Sequence, residues 1–382
     1  MVQFLNKIIK FIPFGLIILN IPSVALLVYG AGIGSLLSYC TVLTLAFYYF
    51  FEKKTSPNWF LLIISMLFFM IGGLQYVGFT QQFYMDTIKY FIFLVCAYEL
   101  AKHITVTEYN LFLLIGAITV ALEAFLLTSN YGRYSGFYIK PNEAGFICIT
   151  GYASTYGLKN ISTKLTGQFI FTLAGLLTFS RTFIAIWILI NIISLKISIK
   201  NIRIFGLGFL IISTLFFIDE VVGLNNPRFE QLKSIVSDEG GGVSTEELNE
   251  DSRTATWAKF YDKIFDSPLI GNGYGSFSGK EGHVKGVHNS YLMVLGEAGI
   301  LPFLLFVSYI GYLLIMSLFY FNKEPNLIMQ TIALSLFLMA NHNFFSFYYV
   351  SFAAMWIQYQ IELVRKNEKY EFENIESNSI SI

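Results

Sequence analysis

Charge is scarce in this sequence. Only 13% of its 382 residues are Asp, Glu, Lys or Arg, against 55% hydrophobic and 18% aromatic. A soluble chain carries roughly 25% charged residues, so lipid is the expected solvent for much of this one, in line with a mean hydropathy of +0.60. An excess of either sign is also missing. The 25 basic residues balance 25 acidic ones, which removes the electrostatic reason to expect nucleic acid as a partner. Cysteine is nearly absent: Cys40, Cys96 and Cys148 all lie in apolar stretches and form no CxxC pair. That excludes a disulfide framework and suggests no zinc site. No internal repeat is visible. The N-terminus lacks a clear small-residue cleavage site. Its apolar run after Lys7 and Lys10 is long and is followed at once by another, so it reads as a retained first helix and not a signal peptide.

What the sequence does have is long apolar runs. A span needs roughly 20 mostly apolar residues to cross the hydrocarbon core. That length predicts helices near 11–30, 32–51, 59–78, 83–101, 109–128, 143–158, 165–180, 182–196, 203–222, 300–321, 327–345 and 347–364. The expected fold is an all-α polytopic membrane bundle of about 12 transmembrane helices with one large external loop. Residues 1–222 hold the first nine helices, 223–288 the loop, 289–364 the last three, and 365–382 a polar cytoplasmic tail. Lys and Arg favour cytoplasmic loops. With the N-terminus inside, every inner connection contains at least one of them, from Lys53 and Lys54 through Lys196, Lys200 and Arg203 to Lys323 and Arg365. The short outer connections hold Arg133, Lys140 and Arg181, with Lys89 inside the fourth span, and the 223–288 loop falls outside.

Against that bias the arginines stand out. The chain has six arginines to nineteen lysines, and four of the six, Arg133, Arg181, Arg228 and Arg253, fall on the outer side. A guanidinium binds phosphate oxygens in pairs, whereas lysine acts as a point charge. Such a cluster suits a lipid-linked phosphate or pyrophosphate; the plain alternative is that the residues snorkel from helix ends or pair with local acids. Arg133 lies in GRYSGFYIKPNEAG, where Pro141 marks a helix start and Asn142 is placed to cap it. With Lys140 it would make a cationic lip. Ser180–Arg181 separates two apolar segments with almost no loop, so a broken helix or tight corner should set the guanidinium at cavity depth.

The external loop ends in RTATWAKFYDKIFDSPLIGNGYGSF. Trp257, Phe260, Tyr261, Ile264 and Phe265 recur at helical spacing, predicting an amphipathic helix that Pro268 stops. Gly271, Gly273 and Gly275 predict a turn with unusual backbone angles. A phosphate cradle is a weak reading there, because the strand–turn–helix context is absent. His288 and Asn289 stand where the loop re-enters the membrane. Histidine titrates near neutrality and can move protons or bind an anion; the competing reading has the pair capping a helix. His283 and His342 are weaker candidates on the same side, and His103, on the inner side, reads as structural.

GRYSGFYIKPNEAG, LLTFSRT, R-x3-W with SPLIGNGYGSF, and HN-x9-G-x-x-P follow one another over about residues 130–305. In this order they resemble the O-antigen polymerase and O-antigen ligase superfamily. Arg228-x3-Leu232 also resembles an arginine motif of the ligases, whose HN-x9-G pattern is met up to Gly299, while Pro302 departs from it and favours polymerase. The resemblance implies a GT-C-like glycosyltransferase in the bacterial inner (cytoplasmic) membrane, working at its periplasmic or extracellular face. The donor would be an undecaprenyl-pyrophosphate-linked oligosaccharide and no metal or other cofactor would be needed. The product would be O-antigen or capsule polysaccharide, with a chain-length regulator and a flippase as companions in membrane lipid. The roles implied are pyrophosphate stabilisation for Arg181 and Arg253, support from Arg133 and Arg228, and substrate contact for Lys140, Asn142 and Asn289. His288 is left with several roles: orienting or deprotonating the acceptor hydroxyl, or stabilising the leaving group. Two other readings compete. A ligase would pass the glycan to a lipid A core, and a lipid-linked sugar flippase would show the repeats and midplane charges that transporters often carry.

Overall fold

The computed structural model describes residues 2–76, 78, 80–126, 133–222, 253–279 and 286–380. Among these every regular element is a helix, and there are no strands. Helices α1 (Val2–Ile18), α2 (Ile21–Tyr29), α3 (Ala31–Phe51), α4 (Trp59–Leu74), α5 (Thr80–Lys102) and α6 (Val106–Leu126) form the first half. Then come α7 (Pro141–Ser154), α8 (Ile161–Leu177), α9 (Arg181–Leu195) and α10 (Arg203–Val222). Two short helices, α11 (Arg253–Ala258) and α12 (Tyr261–Asp266), precede α13 (Ser290–Ala298), α14 (Ile300–Phe319), α15 (Pro325–Leu338) and α16 (Tyr348–Ile380).

Three of these helices, α3, α6 and α14, are long and apolar enough to cross a membrane, and the bent α1–α2 pair makes a fourth. The apolar helices α4, α8, α9 and α15 are shorter. Helix α5 has the length but carries Asp86, Lys89, Glu99 and Lys102. Large apolar side chains such as Leu43, Phe47, Phe50, Met66, Met70, Leu122 and Ile315 face outward. Water would not tolerate so continuous an apolar surface. This is a helical membrane protein.

Every predicted apolar run contains helix, with four revisions. The run at 11–30 is broken: α1 and α2 turn 61° apart, because Asn20 adopts φ 53 and Pro22 occupies the first turn of α2. The amphipathic helix of the loop is two helices, split at Lys259–Phe260; Phe260 and Ile264 are buried while Phe265 is exposed. Helix α15 stops at Leu338, short of the predicted residue 345. The polar residues after 364 continue α16 as helix, joined to the α14–α15 connection by Lys323–Glu368 at 2.8 Å.

Helix α7 is the hub. It packs against α6, α8, α9 and α15, and every residue from Glu143 to Ser154 is buried. Its small residues allow this closeness. A Cβ on Gly151 would stand 2.1 Å from the Phe171 ring, and Gly145 sits against Ser180 and Phe183 of the next corner. Some buried polar groups pair between the helices, as Asn110 does with Ser154 and Tyr152 with Asn191.

Candidate functional site

The α8–α9 corner is as tight as the sequence predicts. Only three residues, Thr178 to Ser180, join the two helices, with Phe179 at φ 48. The Thr178 hydroxyl closes α8 by donating to the Gly175 carbonyl, and the Ser180 hydroxyl caps α9 by accepting from the Phe183 N–H. Ser180 also donates to Asn142 Oδ1 at 2.9 Å. Asn142 is therefore not a cap. The cap position of α7 falls to Lys140, and Asn142 instead ties the start of α7 to the start of α9. Arg181, the first residue of α9, is exposed, so the corner does not set its guanidinium at cavity depth as the apolar flanks predict. Half-buried Arg133 lies on a segment held against this corner by the Tyr134 N–H on the Leu177 carbonyl, and Glu123 accepts from the next two backbone N–H groups.

A second set of contacts gathers on the connection from α15 to α16. Three successive residues each take a different partner. The Ala340 carbonyl accepts from Arg253 at 2.7 Å, the Asn341 carbonyl from the Ser290 hydroxyl, and His342 Nδ1 from the His288 N–H at 3.2 Å. The two imidazoles lie 5.0 Å apart, centroid to centroid, and His288 sits at φ 50. Asn289 caps α13, its Oδ1 accepting from the N–H groups of Tyr291 and Leu292.

The two sets share one electrostatic neighbourhood. Burial, then the charge of Arg181, lowers the pKa of Arg253, which puts the two guanidiniums within range of each other's charge. His342 is pushed from 6.5 down to about 4, first by burial and then by His288 and Lys140. It is therefore neutral at ordinary pH, with Nδ1 free of a proton to accept the His288 N–H. Glu143, in the first turn of α7, is buried beside Lys140, Tyr349 and Asn341. The N-termini of α7, α9 and α13 all open on this region, and each presents the positive end of a helix dipole. Like charges gathered this way repel unless an anion lies among them. The arrangement can bind a multiply charged phosphate group and stabilise negative charge that develops on it.

The structure brings together Arg181, Arg253, Lys140, Asn142, His288 and Asn289, and holds Arg133 against the same corner. Arg228 and His283 lie outside the described residues. Residues passed over or underweighted by sequence reasoning are Glu143, Ala340, Asn341 and His342. Asn341–His342–Asn343 repeats the His–Asn pairing of 288–289, the one signal that could have raised them. The glycine-rich turn does adopt positive φ at Gly271, Gly273 and Gly275. Its N–H groups are already spent: Asn272, Gly273 and Tyr274 donate to the carbonyls of Gly296, Glu297 and Gly72, and Phe277 and Ser278 donate to the Glu297 carboxylate. The turn anchors the loop to α4 and α13 and cradles no phosphate. Among the described residues no group of three or more His, Cys, Asp or Glu is placed to hold a metal ion.

Residues 167–307 match the family model described as O-antigen ligase. The match runs from α8 into α14, taking in Arg181, Arg253, His288 and Asn289, and it supports a place in the O-antigen ligase and polymerase superfamily. No curated protein matches the chain.

Proposed function

We propose that the protein is an integral-membrane glycosyltransferase with a GT-C-like architecture, which polymerises polysaccharide repeat units. It would take a glycan from undecaprenyl pyrophosphate and join it to a hydroxyl of a second lipid-linked unit. What carries this reading is that Arg181, at the start of α9, and Arg253, held by the Ala340 carbonyl, share one electrostatic neighbourhood. In the transfer, an acceptor oxygen bonds to the anomeric carbon as the bond from that carbon to the pyrophosphate oxygen breaks. One further negative charge develops on the leaving pyrophosphate as that bond breaks, and a guanidinium fixed beforehand, as Arg253 is by the Ala340 carbonyl, stabilises it with little reorganisation. The acceptor's proton must leave as its oxygen bonds. His288, held by His342, is the base or the orienting group for that hydroxyl. A single displacement inverts the anomeric carbon; detection of a covalent glycosyl-enzyme would sink that mechanism.

The positive-residue bias supports a site facing the periplasm or exterior of the inner membrane, where Arg133, Lys140 and Asn142 would line the approach and Asn289 would hold α13 in place. Arg228 is assigned to the same task. A chain-length regulator and a flippase would work beside it. The matched family's description favours a second reading, a ligase that passes the glycan to lipid A core. Pro302, buried in the first turn of α14 where a missing N–H is harmless, is the departure that favours polymerase.

Purified protein given lipid-linked repeat units alone should produce a ladder of products; transfer that needs lipid A core would establish the ligase instead. Arg181→Ala and Arg253→Ala should each lower kcat by about 100-fold or more while leaving membrane insertion intact. Full activity in either variant removes that residue from the site.

A further inference from the structure

A cavity of about 240 Å³ opens between the α1–α2 bend, α3, α5 and residues 345–349. None of the residues assigned above to phosphate binding lines it. One wall is aromatic, with Tyr90, Tyr274 and Tyr348; another is polar, with Asp86, Lys89 and Asn20. Asp86 and Lys89 are one helical turn apart on α5 and therefore project from the same side. Ionisable groups inside an apolar bundle are costly and persist where they face a cavity or a polar ligand. Each is also held in position. Asp86 accepts from Gln82 at 2.8 Å, and the Lys89 ammonium sits 3.8 Å from the centre of the Tyr39 ring. Asn20 stands at the bend itself, its left-handed conformation stabilised where its side chain accepts from Ser23. The break in the first predicted span thus shapes this wall.

The combination is selective. Flat aromatic surface suits the C–H face of a sugar ring, and an acid, an ammonium and an amide beside it suit the hydroxyls at its rim. Drug-sized ligands fill pockets of about 300 Å³ and upward, so this volume fits something smaller, on the scale of one six-membered sugar ring. The cavity also adjoins the cationic site. Residues 340–342 meet Arg253, Ser290 and His288, while Phe345 to Tyr349 line the cavity, and Tyr349 faces both the cavity and Glu143. One short segment separates the two.

We propose that this cavity is a saccharide subsite, taking one pyranose unit of a lipid-linked glycan, with Asp86 and Lys89 binding its hydroxyls. That the glycan is lipid-linked rests on the proposed transferase function; sugar binding itself does not. The test uses the full-length protein in lipid nanodiscs, with the free repeat-unit oligosaccharide, released by mild acid from the producing cell's polysaccharide, as probe in calorimetry. Asp86→Asn and Lys89→Met should each weaken its binding at least tenfold. Ser38→Trp, which fills the cavity from α3 and keeps both charges, should do the same, and Arg181→Ala should still bind. Thermal unfolding of each variant checks that it is folded. Parent-like binding in the folded variants overturns the subsite, as does absence of binding to the parent. So does displacement of the oligosaccharide by glycerophosphoethanolamine at lower concentration than by methyl glycosides, which would make the cavity a lipid-headgroup site. In transfer assays the variants should raise KM for the acceptor if its sugar occupies the cavity, or for the donor if the donor's does. An unchanged KM for both overturns the proposal. If the parent transfers nothing yet binds the oligosaccharide in a cavity-dependent way, the transferase reading falls and the subsite stands.

Discussion

His342 shows how burial and neighbouring charges set the state of one side chain. Its Nδ1 accepts the His288 N–H, which requires it to stay neutral, and burial with the nearby charges of His288 and Lys140 lowers its pKa from 6.5 to about 4. Between those two values the unfolded or opened segment binds a proton that the folded segment refuses. The contribution to stability is therefore fully present above 6.5 and lost as pH falls toward 4; its full extent is about 3 kcal/mol. The unfolding temperature of the purified protein should drop across that window. His342→Gln, which keeps an acceptor for the His288 N–H but cannot titrate, should flatten part of the drop. Equal slopes for parent and variant would show that His342 does not govern it. Residues of this kind are hard to read from sequence. Arg181 stood out because arginine is rare here and it interrupts an apolar run, whereas His342 draws its importance from a partner 54 positions away.

At the scale of elements, the corners matter more than the helices. Gly299 joins α13 to α14 at φ 80, and the loop backbone passes so close that an added Cβ would stand 2.1 Å from the Leu269 carbonyl oxygen. The neighbouring Ile300 N–H donates to the Pro268 carbonyl, stitching loop to helix. Gly299→Ala should therefore cost about 1–3 kcal/mol or more through strain and displaced backbone, visible as a lower unfolding temperature or loss of folded protein. A parent-like unfolding temperature would mean that the corner is looser than drawn. The HN-x9-G spacing has a physical meaning in these terms: Asn289 caps α13, and the glycine ends it after the nine helical residues between them. Sequence spacing exposed the two ends of that helix, and the tight α8–α9 corner was legible for a similar reason. The Asn142–Ser180 bond was not, since each residue looked like an ordinary helix start and no local pattern says that two starts meet.

For the molecule as a whole, orientation is the property with the largest consequences. From the bias of Lys and Arg we propose that residues 223–288 lie outside and the end of α16 in the cytoplasm. Asp262→Cys on the exposed face of α12 should react with a membrane-impermeant maleimide in intact cells. Lys369→Cys, exposed on α16, should react after the membrane is opened. These experiments need a background with Cys40, Cys96 and Cys148 replaced. The reverse pattern would turn the arginine cluster toward the cytoplasm and remove the support for a carrier-linked donor reaching it from outside.

Composition and hydropathy by themselves determined that this chain lives in lipid as a helical protein, and roughly where its helices run, because lipid leaves the backbone no alternative to internal hydrogen bonding. They also marked Arg181, since a charge between two apolar runs is costly enough to be conspicuous, while Arg253 and His288 drew notice through the scarcity of arginine and the place of the His–Asn pair at the end of the polar loop. Which of these residues meet was decided by tertiary structure alone. The convergence of three helix N-termini, the neutral His342 behind His288, and the Asn20 bend that opens the Asp86–Lys89 cavity all depend on contacts between residues far apart in the chain. Local pattern carries no information about those distances; the packing of helix against helix sets them.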